Sequence, residues 1–288
     1  MDDKIIFLHL YKTGGQTLRN LFTHQTPPSQ YFDIGKHGFD DFLALPAAER
    51  ERIRLVFGHV KYGMHCCFEE PEKVHYLTML RDPVERIRSL HRYVNQNARL
   101  DLHRLMPERE RRELPDFLHH IDRYSPYHGN NGMCKSIAGT DRAFPAGNLW
   151  DRRIRNKVDE GALLDAALAN LESRFLEVGL LEWFDESIIF YKWALGWQKP
   201  LFYLQRNHSQ RDRSAQLEPG LLELIKEKNQ YDCQLYERVR TQFLERLSTY
   251  REELDAEIRR TKFNNRMYTY YRRFYRDPLK KVLSGKAN

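Results

Sequence analysis

The segment Ile5–Phe22, IIFLHLYKTGGQTLRNLF, constrains this chain more than any other. Ile5–Leu10 is apolar and too short to establish a helical period, so it reads as a buried strand. Leu18, Leu21 and Phe22 return at helical spacing, so Thr17–Phe22 reads as the start of a helix packed inward. Between them lie Lys12-Thr13-Gly14-Gly15-Gln16-Thr17. A strand, a glycine turn and a helix start gather backbone N–H groups, a lysine and two hydroxyls into one small volume. A phosphate-like anion fits such a place at a helix N-terminus. The order is not that of a Walker A loop, whose lysine follows the glycines; here Lys12 precedes Gly14 and Gly15.

The same alternation runs on. Arg54–Gly58, Val74–Leu80 and Leu176–Leu180 read as strands, with a further short one at Leu201–Leu204. Helical spacing follows Pro83, and again over Leu163–Leu171, Phe184–Leu195 and Leu217 to about Lys262, with an interruption near Tyr250. Residues 101–124 read as helical with a break at Pro115, and residues 125–148 as mostly loop. This order predicts an α/β fold with a central, mainly parallel sheet flanked by helices. Ligands of such sheets bind beyond the carboxyl ends of the strands. Lys12, His59 and Arg81 all stand just past predicted strand ends. Arg81 is followed eight residues later by Ser89, and a guanidinium fork and a hydroxyl can share one phosphate.

The formal charge of +7 is concentrated at one end. Residues 262–288 carry eight Lys and Arg against Asp277, which accounts for the whole excess and leaves residues 1–261 neutral. Two parts follow: 1–261 as the catalytic-type domain, and 262–288 as a basic, aromatic C-terminal extension read as a packed helix with a solvated basic face. Contact of that extension with a membrane surface is a second reading; nucleic acid is not an expected partner. The four cysteines form no CxxC, and no run of 18 apolar residues occurs. A cytoplasmic, reducing compartment is therefore the expectation, with a lumenal domain cut from its anchor as the alternative.

YKTGGQT and LRDPVERIRSL together resemble the sulfotransferase family, and most closely its carbohydrate branch with the heparan sulfate 2-O- and 6-O-sulfotransferases and their bacterial relatives. Gly58-His59-Val60, VGLLEWFDESIIF (Val178–Phe190) and NQYDCQLYERV (Asn229–Val239) extend the likeness. Leu181 and Tyr11 depart from the branch's usual residues. The resemblance implies a P-loop-like three-layer fold. It implies 3′-phosphoadenylyl sulfate (PAPS) as donor substrate and 3′-phosphoadenosine 5′-phosphate as product. Lys12, Thr13, Gly14, Gly15, Gln16 and Thr17 would hold the 5′-phosphosulfate, and Arg81 with Ser89 the 3′-phosphate. Arg211 or Arg213, in a loop that closes over the nucleotide in this branch, would also reach it. In-line transfer needs a base for the acceptor hydroxyl and a cation at the bridging oxygen. His59 is the expected base and Lys12 the expected cation, with His65 the rival base. His91 and His128 are candidates for the acceptor cleft, and His9 reads as a satisfied core histidine. No metal is expected. The acceptor is a hydroxyl, most simply of a carbohydrate. Two other readings stay open: a P-loop-type kinase, and a non-catalytic nucleotide- or polyanion-binding protein on the same scaffold.

Overall fold

The computed structural model describes residues 3–125, 127–139, 160–203 and 217–276. Its strands are β1 (Lys4–Leu8), β2 (Tyr31–Asp33), β3 (Leu55–Gly58), β4 (Val74–Leu80) and β5 (Phe175–Leu180). They form one sheet in the order β2-β3-β1-β4-β5, parallel throughout. The longer helices are α1 (Gly15–Gln25), α2 (Pro83–Gln96), α3 (Leu114–Tyr124), α4 (Gly132–Ala138), α5 (Leu163–Arg174), α6 (Phe184–Leu195), α7 (Pro219–Lys228), α8 (Gln230–Thr249) and α9 (Arg251–Tyr271).

β1 is central and buried along its whole length. A parallel strand covered on both faces reads as a continuous apolar run, and Ile5-Ile6-Phe7-Leu8 is one. Leu8 stands opposite Gly58 on one side and Thr78 on the other. The Thr78 hydroxyl donates to the Leu8 carbonyl at 2.8 Å, tying β4 to β1 near that edge. Their carboxyl ends thus open onto one place. α1 covers the sheet with Leu18, Leu21 and Phe22, the Phe22 ring 4.9 Å from that of Phe7. α2 starts sharply because Asp82 accepts the Glu85 N–H and Pro83 fills the first turn, where its missing N–H costs nothing.

Five local expectations differ from the structure. β2 went unread because three residues at a sheet edge carry no period. Residues 201–203 form no strand, and Leu204 lies outside the described residues. Asn265 of α9 accepts the Tyr203 N–H at 2.7 Å, and Asn264 donates to the Leu201 carbonyl at 3.1 Å. A helix thus satisfies the backbone that a sheet neighbour would otherwise pair. Pro115 opens α3 and does not break it. α4 lies inside the expected loop, its first amides Met133 and Cys134 donating to Asp232 of α8 at 3.1 and 2.8 Å. Residues 262–271 continue the helix that begins at Arg251.

Asp232 belongs to the main buried polar network. Arg86 of α2 is almost fully buried. Its guanidinium donates to the carbonyls of His128 (3.0 Å) and Gly129 (2.7 Å), to Asn229 Oδ1 (3.3 Å) and to Asp232 Oδ2 (3.3 Å). Asn131 closes the ring by accepting the N–H groups of Tyr231 and Asp232. The network fixes the 127–131 turn over the carboxyl edge of the sheet. Breaking a buried ion pair strands the surviving charge, so Asp232→Ala is expected to cost about 3–5 kcal/mol of stability. The double change Arg86→Met/Asp232→Leu is expected to cost less. Urea denaturation of the two variants checks the order.

Candidate active site

The turn after β1 has an unusual backbone. Lys12 and Gly14 both lie in the left-handed region, with φ of 68° and 82°. A non-glycine residue there is strained, and something must hold it. The Arg81 guanidinium does, donating to the Lys12 carbonyl at 3.0 Å. Gly14 has a second reason to be glycine, since a Cβ would press Leu181 Cδ1 at 2.9 Å. A Cβ at Gly15 would land on the His9 ring. Thr13 is buried and its hydroxyl donates to the Leu10 carbonyl at 2.9 Å, so its proton is committed to the turn. Thr17 is buried in the first turn of α1, and Gln16 faces solvent.

The turn wants an anion. The Lys12 ammonium sits 3.8 Å from the centroid of the Tyr93 ring and has no carboxylate partner among the described residues. Burial, then the positive charges of Arg81 and Arg92, push its pKa down to about 8. Cations that repel one another beside the free N–H groups of a helix start are a site that negative charge would relieve. Ser89 lies two turns along α2 from Arg81, and its hydroxyl makes no hydrogen bond among the described residues. Arg211 and Arg213 lie outside the described residues.

Past β3, the His59 ring is held between two others. His9 lies on one face, 4.2 Å away, and Tyr11 on the other, 4.0 Å away, both nearly parallel to it. His59 Nδ1 is 2.7 Å from the carbonyl oxygen of His9. A carbonyl only accepts, so Nδ1 carries the proton and Nε2 keeps its lone pair. Burial lowers the pKa of His59 to about 4, against the opposing pull of that hydrogen bond; Arg19 and Lys12 add to the fall. The result is a neutral imidazole with a fixed tautomer, next to a lysine and a helix N-terminus.

Lys12, His59 and Arg81 are thus brought together, and Tyr11 links His59 to His128, whose ring is 3.9 Å from that of Tyr11. His65 is not brought there. The Tyr76 hydroxyl accepts the N–H groups of Gly63 and His65, which leaves its own proton for His65 Nδ1 at 2.9 Å. His91 donates from Nε2 to the carbonyls of Arg111 and Arg112 and packs on Phe117, away from the turn. His9 is not a satisfied core histidine: both its ring nitrogens are buried without a hydrogen-bond partner. Sequence reasoning missed Lys61, whose ammonium lies 3.1 Å from the Tyr127 ring centroid and whose pKa burial pushes down to about 8. Its position two residues beyond His59 was the available signal. Glu182 was also missed; it accepts the Asp82 N–H at 3.0 Å and the Tyr236 hydroxyl at 2.9 Å, bracing the start of α2 against α8. Among the described residues no group of three His, Cys, Asp or Glu could hold a metal.

An anion-seeking turn, a basic strand end and a neutral imidazole at one sheet edge are the parts of a sulfotransferase domain. The chain belongs to the galactose-3-O-sulfotransferase family, whose model matches residues 2–273. It is similar to human galactosylceramide sulfotransferase, 25% identical over 281 residues, or 92% of this chain. It spans 63% of that relative's length. The expected carbohydrate branch therefore stands, but the family is the galactose-3-O one and not that of the heparan sulfate enzymes. The compartment needs correcting as well. Galactose-3-O-sulfotransferases are type II proteins of the Golgi membrane with lumenal catalytic domains, which overturns the cytoplasmic expectation. Cysteine spacing and charge do not distinguish a lumenal domain from a cytoplasmic one. Among the described residues no helix is long and apolar enough to cross a membrane.

NMR of ring-labelled histidines is expected to show His59 in the Nδ1–H form, titrating near pH 4. A His59 that titrates near the ordinary 6.5 would contradict the buried stacked geometry.

Proposed function

We propose that this chain transfers the sulfuryl group of PAPS to the 3-hydroxyl of a galactose borne by a glycolipid or glycan. One observation carries the reading: the His59 tautomer, which leaves Nε2 free to take a proton beside the anion-seeking turn. The amides of the Lys12–Thr17 turn would hold the phosphosulfate, and Arg81 and Ser89 the 3′-phosphate. Lys12 would stand at the bridging oxygen, where charge grows as the bond to sulfur breaks. His59 Nε2 accepts the hydroxyl proton of the acceptor, while the His9 carbonyl keeps the ring from turning. Tyr11, His128, Tyr127 and Lys61 would form the acceptor wall. The galactose assignment rests on the family and on the named substrate of the human relative.

Calorimetry with 3′-phosphoadenosine 5′-phosphate is expected to show binding by the wild type and at least about tenfold weaker binding by Lys12→Ala and Arg81→Ala, each of which removes a charge-assisted contact. No binding by the wild type overturns the donor site. With PAPS and a β-galactoside, His59→Ala is expected to lose about 10²–10⁴ in kcat, as loss of a general base does, with product affinity little changed. The pH dependence of kcat/KM follows from the two shifted groups. The base must be unprotonated, so activity rises as pH passes about 4. The cation must be protonated, so activity falls as pH passes about 8. A rising limb near 6.5 would show that another group is the base.

A further inference from the structure

The rings of His9, His59, Tyr11 and His128 form one column, each against the next at 4.2, 4.0 and 3.9 Å. Four cations bear electrostatically on its imidazoles: Arg19 and Lys12 on His9 and His59, Lys61 and Arg86 on His128. Two of the four are neutralised. Arg19 Nε lies 2.8 Å from Asp33 Oδ2, and Arg86 lies 3.3 Å from Asp232 Oδ2. Lys12 and Lys61 have no carboxylate partner among the described residues. Lys12 is placed at the proposed donor turn, but Lys61 has no such use. Its backbone is pinned on both sides. The Val60 N–H donates to the Gly58 carbonyl at 2.9 Å, and the Tyr62 N–H to the Ser136 carbonyl of α4 at 3.0 Å. The ammonium rests 3.1 Å from the centroid of the Tyr127 ring. Burial raises the pKa of that phenol, so at neutral pH the ring is uncharged and offers a π face alone. Burial also lowers the Lys61 pKa to about 8, and no carboxylate among the described residues opposes the fall. A half-buried ammonium set against a π face is only partly compensated for the water it has lost.

The geometry points to Lys61, over Tyr127, as a second anion subsite that pairs with a negative charge carried by the acceptor. The substrate class is then an acidic galactoside, with a carboxylate or sulfate ester on the residue linked to the galactose. This inference rests on the reading of the cleft as an acceptor site, and adds the charge of the acceptor to it. The column separates the two lysines. Lys12, which would stand at the transferring group, bears on His9 and His59. Lys61 bears on His128, whose ring is 6.0 Å from that of His59 on the far side of Tyr11. An anion at Lys61 is therefore not the sulfuryl group in transfer; it belongs to the other reactant. A lysine suits the role, since a compact ammonium meets a carboxylate or a sulfate without demanding one planar geometry. The pinned backbone on either side of Lys61 keeps that charge at a set place beyond the base.

The test is an NMR binding titration of the full chain, with and without 3′-phosphoadenosine 5′-phosphate, which needs no turnover. The probes are lactitol, lactobionate and lactitol bearing one sulfate on its glucitol part. All three present the same β-galactose; lactobionate differs from lactitol only by a carboxylate in place of a hydroxymethyl group. The wild type is expected to bind at least one acidic probe at least about tenfold more tightly than lactitol, as a charge-assisted contact gives, whether or not nucleotide is present. Which acidic probe gains more tells a carboxylate from a sulfate ester. Lys61→Met is expected to bring the ratio to about one, and Lys61→Arg to keep most of it. Circular dichroism shows that both variants are folded. Equal affinity of the wild type for all three probes overturns the subsite and leaves galactoside recognition standing. Binding of none of them overturns both. A ratio unchanged in Lys61→Met means that Lys61 only props Tyr127, and overturns the proposal. So does a preference seen only without nucleotide, because the anion would then sit at the Lys12 turn.

Discussion

The acceptor side of the site depends on one buried guanidinium. Arg86 stands on α2 and draws its partners from two other stretches, the 127–131 turn and residues 229–232 at the start of α8. Removing such a group from water costs several kcal/mol, and only near-complete pairing offsets the loss. Here two carbonyls, an amide oxygen and a carboxylate supply it, leaving Nε alone unpaired. The energetic return is small, because a well-packed apolar core would serve stability as well. What the network supplies is position. It fixes the carbonyls of His128 and Gly129, and so sets the His128 ring against Tyr11 and, through Tyr11, against the base. The turn has little apolar mass of its own, and without these hydrogen bonds few contacts would define its height above the sheet.

Desolvation then does opposite chemical work on two neighbouring groups. It lowers the pKa of both His59 and Lys12, to about 4 and about 8. The direction is the same because burial disfavours the charged form of either base. The outcome differs because they start four units apart. At neutral pH the imidazole is left uncharged and able to accept a proton, while the ammonium remains mostly charged. A single dry environment thus yields a base and a cation side by side without either quenching the other. Arg81 and Arg92 deepen the fall at Lys12, which means that a bound anion would reverse part of it.

Much of this was legible in the sequence, and the reasons are specific. Ile5–Leu8 announced a central parallel strand because burial on both faces removes alternation. Lys12, His59 and Arg81 stood out because each follows a strand end, and the register of Leu8 with Gly58 and Thr78 makes those ends converge. His65 and His59 could not be separated by spacing, since both follow β3 within a few residues. Only the Tyr76 hydroxyl, contributed by another strand, tells them apart. His128 was a candidate from the sequence and Lys61 stands two residues beyond His59, but their contacts with Tyr11 and Tyr127 come from a turn fixed from α2 and α8, which no local pattern shows. Residues 201–203 misled for a related reason. Their apolar run looked like a strand, but asparagines some sixty residues away took their backbone groups instead.

The paired glycines of the opening turn are explained by different neighbours, and the difference links the two halves of the site. Gly14 needs its left-handed φ and the space that Leu181 leaves. Gly15 needs room for the ring of His9. His9 in turn offers its carbonyl to His59 Nδ1 and its ring to one face of the same imidazole. One residue therefore touches both the helix start proposed to bind the anion and the imidazole proposed to accept the proton. Any displacement of the α1 N-terminus toward the sheet moves His9, and with it the hydrogen bond that fixes the tautomer of the base. The glycine signature of the turn is thus as much a condition on the base as on the anion. The strand–turn–helix segment is thus one unit, in which the proposed anion site and the orientation of the proposed base are set by the same few contacts.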